Sequence, residues 1–285
     1  MAEMLVEKPA AAVQQPPIEP RPWLAAWTLC QREWVRFVRQ RNRVFAAVGQ
    51  PVFFWLLFGL GFGSSLQVGA GASNFFEYYF SGTLVLILLF TAIFATVSVI
   101  EDRREGFLQS VLVAPIPRWS MVLGKLLGGT LIAVAQASLF LLLGYALNLH
   151  LSLVTLLAVV GWMFIVGLAL TALGFLLAWR MESTQGFHAV MMLLLMPMWL
   201  LSGAFFPTSG SGLNWLIRLN PLTYGVAGLR YLLYWNAPDG VRAQMAESLG
   251  LPAPWLCVVV TLAFCIITFA AAWRISAGRT TGDLL

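Results

Sequence analysis

Six stretches of this chain are apolar over about the length that a membrane-spanning helix needs. A bilayer core about 30 Å thick requires about 20 apolar residues, each contributing about 1.5 Å of helix. Composition agrees, because 60% of the 285 residues are hydrophobic and only 10% are charged, whereas soluble domains average roughly 25% charged residues. The pattern predicts an all-α membrane protein with a six-span domain at 44–285. The predicted transmembrane helices are about 44–63, 80–100, 121–147, 151–179, 187–206 and 255–275.

Two different segments precede the first span. Residues 1–22 are rich in Ala, Pro and Gln without an apolar period, which predicts a disordered tail. On a helix, residues 23–43 set a Trp-rich stripe opposite a stripe of arginines. We interpret this as an amphipathic interface helix, with its rings at the acyl boundary and its guanidiniums facing anionic lipid or a partner; the alternative is a helix packed on a soluble core. The first stripe holds Trp23, Trp27, Cys30, Trp34 and Val38, and the second holds Arg32, Arg36, Arg39 and Arg43.

The basic residues predict the orientation of the spans. An even number of spans puts both termini on one side. Placing that side in the cytoplasm leaves only Arg218, Arg230 and Arg242 of the 17 Lys and Arg residues outside, as the positive-inside rule requires. We therefore expect a multi-pass protein of the cell (inner) membrane with both termini and the 1–22 tail cytoplasmic. The net charge of +5 then reflects orientation in the lipid bilayer, not nucleic-acid binding.

A charged segment, 101–119, separates the second and third predicted spans. It begins with five charged residues, continues with an apolar patch at 107–114, and contains Pro115 and Pro117. Since proline ends helices, we expect a short apolar helix that serves as a rigid lever with an adhesive face. The segment is then a cytoplasmic loop that receives force from a partner protein. The alternative is an amphipathic helix resting on the membrane.

The segment 207–254 is too long for a turn and too aromatic for a linker. Residues 214–219 and 222–235 have helical spacing, interrupted by Asn220 and Pro221. We predict two short re-entrant helices, which are tolerated at membrane depth only where their backbone is internally bonded or buried. A surface loop with two interfacial helices is the alternative.

Charged residues are missing from the spans, except Lys125 near one end of the third and Arg274 at the end of the sixth. Carriers coupled to protons or sodium use titratable or coordinating groups near the midplane, and ion channels use charged rings or carbonyl filters. Neither is visible here.

The segment Gly124-Lys125-Leu126 is not a phosphate-binding loop, because it lacks the first glycine and the hydroxyl residue. Gly124 and Gly128 instead have the G-x-x-x-G spacing of closely packed helices. Energy for uphill transport must then come from outside the chain.

Enzymatic and metal chemistry find little support in the sequence. An intramembrane serine protease would need Ser202 with a histidine partner. His188 is predicted to lie about 21 Å away along the same helix, and His150 is predicted to lie in a turn at the end of a different helix. We therefore predict no catalytic residues. The three cysteines have no metal-ligand spacing and read as small apolar residues, so no metal site is predicted.

Four motifs, in order along the chain, resemble the permease subunits of type-2 ABC exporters. They are EDRREGFL at 101–108 with APIPR at 114–118, LGK at 123–125, LSGAFFP at 201–207, and LNPLTYGVAGLR at 219–230. The last two are most similar to the branch of drug-resistance and lipooligosaccharide exporters. The resemblance covers about residue 23 to the C-terminus. It implies a dimer of permeases, a homodimer in the simplest case, bound by two separate cytoplasmic ABC ATPase subunits. ATP and Mg would be bound by those ATPases and no cofactor by this chain.

The resemblance also assigns roles to residues. It makes 101–119 the loop with the coupling helix, which docks on the ATPase, and 23–43 the interface helix beside the ATPase. It places the cargo path at the dimer interface, capped by the re-entrant helices, and Pro197 is a candidate hinge in the fifth span. The coupling residues are Glu101, Arg104, Gly106, Phe107, Leu108, Val111 and Leu112. The interface-helix residues are Trp27, Arg32, Trp34, Arg36 and Arg39. The cargo-path residues are Phe53, Phe54, Met192, Met196, Trp199, Phe205 and Phe206. The re-entrant residues are Asn220, Pro221, Tyr224 and Arg230.

The functional expectation follows from these assignments. Aromatic and Met side chains suit a hydrophobic or amphipathic cargo such as a drug-like molecule, a lipid or a lipid-linked glycan. We expect the permease subunit of an ATP-driven exporter, with the direction of transport implied by the resemblance. The alternative is an ATPase-independent carrier or a membrane scaffold.

Overall fold

The computed structural model describes residues 21–62, 75–147, 152–205, 212 and 214–278, and these contain helices but no strand. The elements in chain order are α1 Pro22–Arg39, α2 Arg41–Phe62, α3 Phe75–Ala95, α4 Val97–Arg104, α5 Phe107–Val113, α6 Arg118–Leu141 with a 3₁₀ extension Leu142–Leu147, α7 Leu153–Trp179, α8 Thr184–Leu200, α9 Asn214–Leu219, α10 Pro221–Leu233, α11 Asp239–Ser248 and α12 Pro254–Ala277.

Four of the described helical segments are long and apolar enough to cross a membrane: Phe75–Arg104, Arg118–Tyr145, Leu153–Trp179 and Pro254–Ala277. They coincide with the second, third, fourth and sixth predicted spans. The shorter apolar helices Gly49–Gly61 and Thr184–Leu200 lie where the first and fifth were expected, and crossing by these two stays a prediction. The predicted tail 1–22 lies almost wholly outside the described residues.

Helix α3 is the centre of the bundle. Every residue from Tyr78 to Leu89 is buried, and α2, α6, α7 and α10 all pack against this helix. A helix that is apolar on all sides needs an apolar surrounding of protein or lipid, and α3 is surrounded by protein. The α3–α4 segment therefore fixes the positions of its neighbours.

Helix α1 packs lengthwise along the first part of α6, running in the same direction. Ser120 donates a hydrogen bond to the carbonyl oxygen of Pro22. Further along, a Cβ added at Gly124 would lie 2.5 Å from the Ala26 carbonyl oxygen, and one at Gly128 would lie 2.7 Å from the Glu33 Cβ. The G-x-x-x-G spacing thus brings two helices together, as predicted. Because this contact binds α1 along α6, the structure differs from the expectation of a helix that meets lipid or a partner on both its faces.

The two ends of the bundle differ in character. Arg103 of α4 donates to the carbonyl oxygens of Trp179 and Met181, at 2.7 and 3.2 Å, and so joins the ends of α4 and α7. We name this the charged end. At the opposite end, Tyr78 of α3 donates to the carbonyl oxygen of Gly203, at 2.8 Å. We name this the turn end.

Candidate transport and coupling site

A cluster of six charged side chains joins α1, α4 and α6 at the charged end. Its centre is Asp102, which is fully buried. Arg32 donates to both carboxylate oxygens of Asp102, at 2.6 and 2.9 Å. Arg36 donates to the same carboxylate at 3.1 Å, and Lys125 of α6 also binds it. Three helices are therefore held by one carboxylate.

Further ion pairs extend this charge cluster, among them one between Arg32 and Glu33 at 3.4 Å. Lys125 also binds Glu33 of α1, and Arg36 donates to Glu101 at 2.6 Å. The six members are Arg32, Glu33, Arg36, Glu101, Asp102 and Lys125, with three charges of each sign. Such balance matters because an unpaired charge inside a protein costs several kcal/mol. The hydrogen bond with Asp102 also raises the pKa of the Arg32 guanidinium.

The charge cluster revises the interpretation of α1. Arg32 and Arg36 were expected to face anionic lipid or a partner, but they bind carboxylates of their own chain. Cys30 was assigned to the exposed stripe, but it is buried with Ala26, Leu29 and Glu33 in the face toward α6. The predicted exposed residues Trp23, Trp27, Trp34, Val38 and Arg39 are exposed.

The apolar patch of the 101–119 loop forms helix α5, which begins after Gly106. Gly106 has a φ of 75°, a conformation that costs a residue with a Cβ more than it costs glycine. The turn folds α5 back on the bundle, and the Arg32 guanidinium lies 3.8 Å above the centre of the Phe107 ring. Helix α5 is thereby tied to α1 as well as to α4.

The predicted docking face of α5 points inward. Leu108 is only 4% exposed, and Phe107, Val111 and Leu112 pack partly buried against the core. The apolar side chain of Leu108 is therefore enclosed by the permease itself, and its contact with an ATPase stays a prediction. The outward face of the loop consists of Arg104, Glu105, Gln109, Ser110 and Val113, with Val113 80% exposed.

A groove of about 630 Å³ runs along α3 and α4 between α2 and α8. It extends from Tyr79 to Glu101, a length of about 33 Å at 1.5 Å per residue, which matches the hydrocarbon core of a bilayer. Most of its wall is apolar, and its end at the charge cluster is polar. The polar lining residues are Glu33, Arg36, Gln50, Thr91, Ser98, Glu101 and His188. This groove, which we name the cargo groove, can hold an elongated amphipathic molecule.

The structure brings most of the predicted cargo-path residues into the cargo groove. Phe54, Met192, Met196, Trp199 and Phe205 line it. Phe53 does not line it and is exposed on another side of α2, because successive residues of a helix point about 100° apart. Phe206 lies outside the described residues. Pro197 lies within α8.

Aromatic rings close the cargo groove at the turn end. The Phe205 ring lies 5.2 Å from that of Phe58, 5.3 Å from Tyr79 and 5.7 Å from Trp199, centre to centre and edge to face. The Trp199 indole is also fixed by a hydrogen bond to the carbonyl oxygen of Gly82 at 3.1 Å. Such edge-to-face packing stabilises the aromatic pairs beyond their burial. This end of the groove is therefore a closed, ordered wall.

The residues predicted for the re-entrant region hold the turn at 201–205. Arg230 of α10 is buried and donates to the Ser81 hydroxyl at 2.9 Å and to the Gly203 carbonyl oxygen at 2.8 Å. Asn220 accepts from the Leu222 amide as the N-cap of α10 and donates to the Met198 carbonyl oxygen at 2.6 Å. Pro221 is the first residue of α10, and the Tyr224 hydroxyl bonds the Arg218 carbonyl oxygen. The end of α8 is thus fixed to α3 and α10.

Sequence reasoning missed two of the three acidic residues of the charge cluster. Glu33 and Asp102 were not singled out, although Lys125 was recognised as the exception among uncharged spans. A signal existed, since Glu33 is the single acidic residue among the 18 residues of α1. Its partner could not be found from spacing, because Glu33 and Lys125 are 92 positions apart. Within the described ranges, no group of three or more His, Cys, Asp or Glu side chains could hold a metal ion.

Comparison with known proteins identifies the family. The model of the ABC-2 type transporter family matches residues 25–234. A relative named "Putative transport permease ycf38" from Cyanophora paradoxa is 25% identical over 211 residues, which are 72% of this chain and 73% of the relative. One of the same name from Porphyra purpurea is 27% identical over 229 residues, 75% of this chain and 76% of the relative. Because the family match extends from α1 to α10, this multi-pass membrane protein belongs to the ABC-2 type transporter family.

Proposed function

We propose that this permease moves a hydrophobic or amphipathic cargo out of the cell along the cargo groove, powered by separate ABC ATPase subunits. The observation that carries the proposal is the groove itself, which is apolar over the length of a bilayer core and ends at the charge cluster. The charge cluster joins α1 and α4 to α6, and α4 leads directly into α5. Force applied to α5 therefore acts on the helix that forms the groove floor.

The remaining assignments belong to the same proposal. The permease acts as a homodimer in the inner membrane, with both termini and the charged end in the cytoplasm. ATP and Mg are bound by the ATPase subunits. A drug-like molecule, a lipid or a lipid-linked glycan would fit the groove, as in the drug-resistance and lipooligosaccharide branch. Met192 and Met196 suit such cargo, because flexible thioethers adapt to different apolar shapes.

ATP dependence separates this function from that of a carrier or scaffold. The permease is reconstituted in vesicles with an ABC ATPase that co-purifies with it, and movement of a fluorescent phosphatidylethanolamine probe is followed with and without ATP. We expect movement only with ATP and the ATPase. Equal movement without ATP would instead indicate an ATPase-independent carrier, and no movement of this probe or of a cationic dye under any condition would favour a scaffold.

The outward face of α5 is the expected ATPase contact. Val113→Asp is expected to weaken co-purification of the ATPase at least tenfold, since a charge placed in an apolar contact costs more than about 1.4 kcal/mol. The matched control is Leu219→Asp, an exposed leucine in α9 at the turn end, which is expected to leave ATPase binding unchanged. If both variants bind the ATPase as the wild type does, α5 is not the docking element.

Filling the cargo groove is expected to block transport. Met196→Trp adds bulk to the groove wall and should lower ATP-driven probe movement at least tenfold. Leu193→Trp, on the same helix but not in the groove lining and 79% exposed, should retain most of the wild-type rate. Overfilling a close-packed wall displaces its contents, and ATPase co-purification checks that both variants remain assembled. Equal rates for the two variants would remove the groove from the transport path.

A further inference from the structure

A second groove lies at the bend where α1 meets α2, on the side of α6 away from α7. It measures about 520 Å³, within the range of about 300–1,000 Å³ typical of small-molecule sites. Its wall is apolar except for one amide and one indole. The lining residues are Trp34, Phe37, Val38, Val44, Phe45, Ile132, Ala135, Gln136 and Leu139. We name it the side groove.

Gln136 gives the side groove a specific chemistry. The residue is only 3% exposed, and its Oε1 accepts a hydrogen bond from the Thr91 hydroxyl at 2.5 Å. Its Nε2 is buried and has no hydrogen-bond partner among the described residues. An unpaired buried donor costs roughly 1–3 kcal/mol. The terminal amide torsion of glutamine is soft, so a small rotation can present Nε2 to a molecule in the groove.

We propose that the side groove binds one glycerophospholipid, whose acyl chain lies on the apolar wall and whose ester carbonyl accepts a hydrogen bond from Gln136 Nε2. Among the residues whose side chains the structure describes, the lining contains no charged side chain. A neutral oxygen next to a long apolar chain fits this lining. The outer wall, Trp34, Val38, Phe45 and Leu139, is exposed on a chain that spans a membrane, and lipid can therefore enter from the side.

The side groove is separate from the cargo groove but touches it. Phe37 and Ile132 line both grooves, and Thr91, the partner of Gln136, lines the cargo groove. A lipid in the side groove would thus support the bend between α1 and α2 from behind. The lipid proposed here would therefore lie next to the cargo groove, but it would not be the transported molecule.

Native mass spectrometry of the purified full-length permease tests the proposal without an ATPase or any cargo. The probes are dioleoyl phosphatidylglycerol and its diether analogue, which lacks the ester carbonyls. The wild type is expected to hold one diester lipid per chain about tenfold more tightly than the diether lipid, as for one hydrogen bond of about 1.4 kcal/mol. Gln136→Leu should bind both lipids at the weaker, diether level.

Two further variants isolate the parts of the site. Thr91→Val, like Gln136→Leu, removes the hydrogen bond between Thr91 and Gln136, but it keeps the Nε2 donor of Gln136. The Thr91→Val variant should therefore still prefer the diester lipid. Ala135→Trp fills the groove and should lose both lipids.

The proposal is overturned if wild type binds no lipid, if it does not distinguish the two lipids, or if Gln136→Leu keeps the preference. Cross-linking of Leu139→Cys to itself would also overturn it, since a second copy of the chain would then cover the groove. Because the assay involves neither ATP nor transport, its failure leaves the exporter function untouched.

Discussion

Replacing Asp102 with asparagine is expected to lower the free energy of unfolding by about 3–5 kcal/mol, the usual cost of breaking a buried ion pair. Asparagine keeps the shape of the side chain but leaves Arg32 and Lys125 without their shared carboxylate. The remaining acids, Glu33 and Glu101, already bind Lys125 and Arg36. The midpoint of unfolding by SDS in mixed micelles, followed by tryptophan fluorescence, measures the change.

The matched control is Glu105, whose carboxylate lies 3.9 Å from Arg36 in a mostly exposed position. Glu105→Gln should cost less than about 1 kcal/mol, as surface ion pairs do. A second check is non-additivity: Asp102→Asn combined with Lys125→Met should cost less than the two single changes together, because the residues belong to one network. Additive costs, or equal costs at Asp102 and Glu105, would show that the charge cluster does not act as a unit.

Gly124→Ala is expected to separate α1 from α6. The new Cβ would lie 2.5 Å from the Ala26 carbonyl oxygen and 2.8 Å from the Leu29 Cβ. The first of these is a backbone atom, so relief requires movement of α1 as a whole. Overpacking of this kind costs about 1–3 kcal/mol. Cys30, which α6 buries, should then react faster with a maleimide, and the same variant with Cys30→Ser supplies the background.

Gly161→Ala provides the comparison, because nothing lies within 4 Å of a Cβ at that position. Alanine favours a helix over glycine by roughly 1 kcal/mol, so this variant should be as stable as the wild type or more stable. If Gly124→Ala unfolds like Gly161→Ala and Cys30 stays protected, the close approach of α1 and α6 is not required. If Cys30 is released, loss of ATP-driven transport with retained ATPase binding would place α1 in force transmission.

The positions of most helices could be predicted from the sequence. Long apolar runs specify helices in a bilayer because backbone groups must bond within the same segment, and most residues of the six runs lie on helices. The prolines at 115 and 117 follow the end of α5 as expected, whereas the turn at Gly106 that precedes the helix was not predicted. Helix α11, residues Asp239–Ser248, was not predicted, because it is polar and lacks the apolar period that the other helices have.

Side-chain directions were less predictable, and α5 shows why. Its apolar residues mark a buried face, but the sequence does not say what covers that face. The arginines of α1 show the same limit, since a basic stripe attracts lipid phosphate, ATPase carboxylates or carboxylates of its own chain equally well. Only the tertiary structure shows which of these partners Arg32 binds, because it places Asp102 within hydrogen-bond distance.

The sequence by itself determined that the surrounding of this chain is a membrane, that its apolar runs are helical and that charged residues are scarce in them, because these properties depend on composition and local periodicity. Tertiary structure decided which faces meet. Packing α1 on Gly124 and Gly128 brings Glu33 to Lys125, and α4 places Asp102 beside the same lysine. These contacts join residues 23 to 92 positions apart, a distance over which no periodic signal extends. The groove and the charge cluster at its end exist only in that arrangement.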